Sequence, residues 1–210
     1  MAVRPTPFQL DAQQLVAEVD AFAAFLGNDT NELSERSEIL PFFKKHQHLA
    51  SLVGFNHSRT FHANLIKSEL GLFGDFACDL AVGSSDLNEF CFVEFENAAP
   101  DSIFKPNGRW SPRLERGLSQ LTDWFYLLAG NQHTPQFRSY FQSDLADYSG
   151  LLVLGRNGFL SDAQKHRLRW RSQNTIVAGR HIRMITFDDL LQTLRTAAAL
   201  LTSSKPGRPL

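Results

Sequence analysis

The stretch Gly74 to Glu96, GDFACDLAVGSSDLNEFCFVEFE, limits what this chain can fold into more than any other. Phe76, Cys78, Leu80 and Val82 recur at every second position, and Phe90, Phe92, Val93 and Phe95 follow after Gly83-Ser84-Ser85-Asp86. Apolar residues at period two, bounded by glycine and asparagine, specify strands. Side chains alternate faces along a strand, so Glu94 and Glu96 share one side, Val93 and Phe95 take the other, and Asp75 and Asp79 share a side likewise. A hairpin through residues 83–86 brings Asp79 close to Glu94. Several carboxylates then meet on an apolar sheet, where like charges destabilise one another unless a cation sits between them. Oxygen ligands of this kind suit Mg²⁺ or Mn²⁺. The same spacing also fits acids on the solvent face of an antiparallel sheet.

Around this segment the periodicity is mixed. Residues Phe8 to Leu26 have helical spacing and end at Gly27-Asn28; a second helical stretch runs from Ser34 or Ser37 to Val53, with Pro41 in a first turn. Strands are expected at Phe61–Leu65, Phe76–Val82 and Phe90–Phe95, a helix from Leu114 to Leu128, and another from Thr134 to Tyr148. The fully apolar Leu151–Leu154 is a central strand, Ser161 caps a basic helix to Arg171, His181–Ile185 is a last strand, and Thr186 caps a helix over Phe187–Leu201. This order describes an α/β sandwich around a mixed sheet. Residues 1–58 form a helical N-terminal segment, 59–202 the core and 203–210 a disordered tail.

With 43% hydrophobic residues and 18 Phe among 210, the chain is neither disordered nor collagen-like. No apolar run reaches a membrane span and no secretory signal is visible, so a cytoplasmic protein is expected. Cys78 and Cys91 lie in apolar stretches at non-metal spacing and are expected as buried thiols; seven His show no ligand pattern. Charge is divided unevenly. Residues 1–104 hold 15 Asp and Glu against 6 Lys and Arg, and residues 105–210 hold 7 against 15. Between Arg156 and Arg183 seven bases face Asp162 alone. An acidic cluster beside a basic surface is the layout of an enzyme that cuts a phosphodiester polymer with a divalent metal, or of a polar helix face balanced by the acidic half.

Asp79, then Glu94-Phe95-Glu96 ending an apolar strand, then a helix bearing Gln120, resembles the PD-(D/E)XK nuclease core. The chain is more specifically similar to the nuclease domain of the Shedu anti-phage defence proteins, in FVEFENA at 92–98, SPRLERGLSQLTDW at 111–124, LLVLGR at 151–156, MITFDDLL at 184–191 and the helical stretch before the core. The resemblance implies a restriction-endonuclease-like mixed sheet flanked by helices, with a short helical N-terminal extension. It implies a metal-dependent DNA endonuclease in anti-phage defence, with Asp79, Glu94 and Glu96 holding Mg²⁺ or Mn²⁺, Gln120 assisting, and Glu69 as a possible additional acid. Arg156, Lys165, Arg167, Arg169 and Arg171 are the expected nucleic-acid-binding residues. Cutting both strands implies a homodimer or larger homo-oligomer. Glu96 stands where the nuclease pattern has lysine, a charge that Lys105 or Arg109 could supply. That departure supports an alternative: a catalytically silent nuclease-like domain that binds nucleic acid or a partner protein. Asp188 and Asp189 are assigned to capping and first-turn dipole interactions.

Overall fold

The computed structural model describes residues 4–55, 63–74 and 76–203. Phe61, Asp75 and the tail from 204 onward lie outside the described residues. A short strand β1 (Thr6–Pro7) precedes helix α1 (Ala12–Leu26). Asp11 caps α1 by accepting the Gln13 and Gln14 N–H groups at 2.8 and 3.1 Å, which sets the start later than Phe8, and Gly27 ends it at φ 60°. A single π turn over Glu35–Ile39 leads into α2 (Leu40–Lys45), with Pro41 in its first turn, and then α3 (Gln47–Ala50).

The sheet core follows as β2 (Leu65–Leu72), β3 (Phe76–Ser84) and β4 (Glu89–Phe95), the meander expected, except that its first strand starts at Leu65. Then come α4 (Pro112–Asn131), α5 (Pro135–Phe141), β5 (Asp147–Val153), α6 (Asp162–Asn174), β6 (Ile176–Val177), β7 (Arg180–Ile185) and α7 (Phe187–Ser203). The helix expected to reach Tyr148 stops at Phe141. Gln142 turns left-handed at φ 55°, and Tyr148 is needed in β5, where it pairs with Phe90 of β4. Ser161 does cap α6, in a reciprocal capping box with Gln164, and Thr186 Oγ1 accepts the Asp189 N–H at 3.1 Å in the first turn of α7.

The seven strands form one mixed sheet in the order β1-β2-β3-β4-β5-β7-β6. The β1–β4 pairs are antiparallel, β4, β5 and β7 run parallel, and β6 closes the far edge antiparallel. Parallel strands must be covered on both faces, and they are. On one face Val93, Phe95, Leu151 and Val153 meet α1, α2 and α7; on the other Phe92, Leu152, Ile182 and Met184 meet α4, α5 and α6. Cys78 and Cys91 are buried free thiols. No helix among the described residues is long and apolar enough to cross a membrane.

Arg156, expected on a nucleic-acid face, is instead 1% exposed and ties three elements together. Its Nε and Nη2 donate to Asp188 at 2.9–3.2 Å, its Nη1 donates to the carbonyls of Leu26 (2.9 Å) and Asn31 (3.0 Å), and its Nη2 also donates to Asn28 (2.8 Å). All five guanidinium donors are thereby used. The apolar Leu154 beside it continues the core, so the chain after β5 has to turn inward and carry this charge with it. Removing one partner of a buried pair leaves an uncompensated charge or orphaned carbonyls, at about 3–5 kcal/mol. Arg156→Ala is expected to lose that much in urea denaturation; an unchanged midpoint would refute the role assigned to this residue.

Candidate functional site

Glu94 and Glu96 lie at the carboxyl end of β4, on the face covered by α4. Helix α4 starts where Ser111 Oγ accepts the Leu114 N–H at 3.0 Å. From there Arg113, Arg116 and Gln120 follow at intervals of three and four, forming one stripe on the helix surface. Gly117 lets that stripe come close, since a Cβ there would sit 2.6 Å from Leu152 Cδ1 and 3.6 Å from Glu96 Cγ. The third wall comes from the N-terminal part of the chain. A bridge between Leu33 and Ala98, and a 2.8 Å bond from the Glu35 N–H to Asn97 Oδ1, hold Ser34, Glu35 and Arg36 over the strand end. Together these residues line a cleft of about 530 Å³.

The acids do converge, but they do not share one environment. Glu96 is 1% exposed and accepts Arg116 Nη2 on both oxygens, at 3.0 and 3.1 Å, and Arg113 Nη1 at 3.4 Å. The positive charge missing from the strand is thus supplied by α4. Lys105 and Arg109 do not line the cleft; they close a tight loop in which the Lys105 N–H donates to the Arg109 carbonyl at 2.8 Å. Sequence reading missed Arg113, Arg116 and Glu35. The first two were detectable from their helical spacing with Gln120; Glu35 enters through a long-range contact that leaves no local pattern.

Glu94 is 6% exposed, and its Oε2 has no hydrogen-bond partner among the described residues. Burial pushes its carboxyl up to about 9, reinforced by Asp79, Glu96 and Glu35 and opposed by a hydrogen bond from the Gln120 side chain. Asp79 is raised to about 7, mainly by burial, although its Oδ2 accepts the Phe95 N–H at 2.8 Å. Burial and the nearby Glu96 raise Glu35 as well. The ladder between β3 and β4 ends at Leu80–Val93, so the Asp79 carboxylate takes the N–H that a further ladder pair would have used.

Glu69 sits opposite Asp79 on β2, at a left-handed φ of 52° that disfavours a side chain. The strand pair turns over there. Ile66 and Leu80 belong to one core, whereas Leu70 and Cys78, each an even number of residues along, belong to the other. Glu69 adds negative potential at Asp79, but its own carboxylate is largely exposed and pairs with Lys44 at 2.7 Å. Among the described residues no three His, Cys, Asp or Glu side chains are placed to hold a metal ion.

The basic residues scatter. Arg167 lies over Phe104 and Trp110 and donates to the Gly108 carbonyl at 2.8 Å; Arg171 lies over Trp110 and forms a bidentate pair with Glu115. These two, expected to bind nucleic acid, instead fasten the 104–110 loop to α6. Lys165 and Arg169 remain on another face of the helix. Asp188 lies in the first turn of α7 as expected and in addition serves Arg156 and the Asn157 N–H (2.6 Å), a tertiary role.

No curated protein matches the chain. The family model described as Shedu protein SduA, C-terminal, matches residues 32–191. That range begins at the residue before the Leu33–Ala98 bridge and includes every wall of the cleft, from Ser34 to Gln120. The chain therefore belongs to the Shedu SduA C-terminal family, a membership that implies a part in anti-phage defence.

Proposed function

We propose that the chain is a metal-dependent nuclease of the PD-(D/E)XK type, cutting DNA phosphodiester bonds in anti-phage defence. The observation that carries this reading is the Glu94 carboxylate, buried, without a partner on Oε2, and crowded by Asp79. A buried carboxylate pair of this kind fits a hard divalent cation, which would relieve both its desolvation and its mutual repulsion. Asp79 and Glu94 would hold Mg²⁺ or Mn²⁺. Glu96 fits that role poorly, because both of its oxygens already accept guanidinium groups. The cation, when bound, supplies an activated water nucleophile and Lewis-acid polarisation of the phosphoryl group.

The chain's own residues do the rest. The Phe95 N–H fixes the rotamer of Asp79, and the Gln120 amide fixes Glu94. Glu96 holds Arg116, which is 61% exposed, at the mouth of the cleft, where its free donors can bind phosphate oxygens as negative charge develops. The nuclease pattern's lysine is in this way replaced by an arginine borrowed from α4. A second reading, a silent domain that binds phosphate without cutting, is favoured because no three His, Cys, Asp or Glu side chains among the described residues are placed to hold a metal ion. Calorimetry separates them: a Mn²⁺ site lost in Glu94→Ala supports the nuclease, and its absence supports the silent domain.

Plasmid incubated with the protein and Mn²⁺ should be nicked or cut. Asp79→Ala and Glu94→Gln should abolish this, and Arg116→Ala should slow it about 10²–10³-fold, the cost of losing one preorganised donor. No cleavage above the Asp79→Ala background with any divalent metal would refute the proposal. A single cleft cuts one strand, so double-strand breaks call for a homodimer or larger assembly; light scattering finding a monomer that makes such breaks in one event would contradict this.

The carboxyls also fix a pH response. Both folded values are raised above the unfolded ones, so the native state binds more protons than the unfolded chain across the interval between them. Stability without metal should therefore fall as pH rises, from about 4 to 7 through Asp79 and on to about 9 through Glu94. Metal should flatten that slope. Glu96→Gln tests the charge assignment separately. If Glu96 joined a bare acid cluster the substitution would stabilise the metal-free protein, but as the anchor of two arginines its loss should cost about 1–2 kcal/mol by thermal melting, discounted for the exposure of Arg116.

A further inference from the structure

Helix α6 carries its charge on two opposed faces. Relative to Lys165, Arg169 lies about 40° around the helix, whereas Arg167 and Arg171 lie about 200° and 240° around. The second face is closed by Trp110, Phe104, Gly108 and Glu115. The first opens on a separate cleft of about 390 Å³, where Lys165, Arg169 and Ser172 of α6 face Arg183 of β7, with Asn157 and Asp189 on its rim. Among the described residues the guanidinium groups of Arg169 and Arg183 have no carboxylate or hydrogen-bond partner. Lys165 comes only within 3.9 Å of Asp162, a fully exposed residue whose pull is largely screened. Asp189 accepts the Asn157 Nδ2 at 3.0 Å. Elsewhere Arg113, Arg116, Arg138, Arg156, Arg171 and Arg180 all pair with acids, whereas here three bases share a cleft with the single carboxylate of Asp189, which leaves it net positive.

Its position links it to the acid cleft. Phe95, Val153 and Ile185 form one cross-strand row, and Ile185 lines the basic cleft. Both clefts thus open at the carboxyl ends of the parallel strands, two inter-strand steps or roughly 10 Å apart. Two guanidinium forks and an ammonium suit phosphate oxygens better than any neutral ligand.

We infer that the cleft formed by Lys165, Arg169 and Arg183 binds a backbone phosphate of duplex DNA, holding the polymer in register across the strand ends while the acid cleft acts on a neighbouring linkage. The inference rests on the proposed nuclease function for the identity of the polymer, and it narrows the basic helix to one of its faces.

Fluorescence anisotropy of a labelled duplex, titrated with the protein in EDTA, tests it without cleavage. The triple variant Lys165→Ala/Arg169→Ala/Arg183→Ala should bind at least about tenfold more weakly at low salt. Its slope of log affinity against log salt should be shallower by about 0.9, the change for one phosphate no longer neutralised. Arg169→Glu alone should weaken binding in the same direction, and Arg195→Ala on the exposed side of α7 should leave both quantities unchanged. Wild-type affinity and slope in both the triple variant and Arg169→Glu would overturn the inference, as would failure of the wild-type protein to bind duplex at all. Variant-sensitive binding by a protein that fails to cut whichever divalent metal is added would sink the nuclease proposal and leave this cleft standing; cleavage with variant-insensitive binding would do the reverse.

Discussion

A guanidinium taken almost wholly out of water must place every one of its donors, and the way Arg156 does so decides where the N-terminal third of the chain lies. Three of its acceptors are carbonyls at or just beyond the end of α1, and the fourth partner is the first-turn acid of α7. The exit from α1 is thereby fixed against the end of β5. The next residues have only a short path to the Leu33–Ala98 bridge, which in turn sets Ser34 to Arg36 over the end of β4. One wall of the acid cleft therefore depends on a charge that never meets solvent. The hydrophobic contacts of α1 with α7 and the sheet give the greater part of the adhesion, as buried Leu and Phe side chains contribute about 1.5–3 kcal/mol each. They are non-directional, and it is the hydrogen bonds of Arg156 that choose the register.

The cleft itself separates two kinds of carboxylate that share a strand face. Glu96 is as buried as any core residue, yet it is satisfied by two arginines that reach it only because Gly117 brings α4 against the sheet. Glu94, two residues earlier, has an amide for company and a bare oxygen. In low dielectric an unpaired acid such as Glu94 is driven toward its neutral form. One acid of the cleft is thus held by arginines, while the carboxyls of the other two are pushed up by their burial.

The strand pair that carries Asp79 shows a comparable concession. An ordinary hairpin would keep Glu69 and Asp79 in the ladder and preserve the alternation of faces. Instead Glu69 accepts a left-handed backbone, the alternation reverses between Leu70 and Ile66, and the Asp79 carboxylate caps the end of β4. Strain of this kind costs about 1–3 kcal/mol and persists where the surroundings over-determine it. Here the two cores on either side of the sheet provide that determination.

Local pattern by itself determined the identity of most elements: the period of two through Phe76–Phe95, the helical stripe of α4, the capping box of α6, and the shared face of Glu94 and Glu96. These depend on side-chain spacing along one element, and spacing is written in the chain. The pairing of charges was not so written. Arg156 looked like a surface base and is a buried tie; Arg167 and Arg171 looked like ligands for DNA and hold a loop; Lys105 and Arg109 lay nearer in sequence to Glu96 than Arg113 and Arg116 do, yet took no part. The helix expected to run to Tyr148 ended early because a parallel strand needed that residue. Coulomb and hydrogen-bond energies depend on distance in space and on local dielectric, neither of which a sequence states, so only the tertiary structure could decide which of fifteen bases in the second half of the chain meet an acid and which are left free.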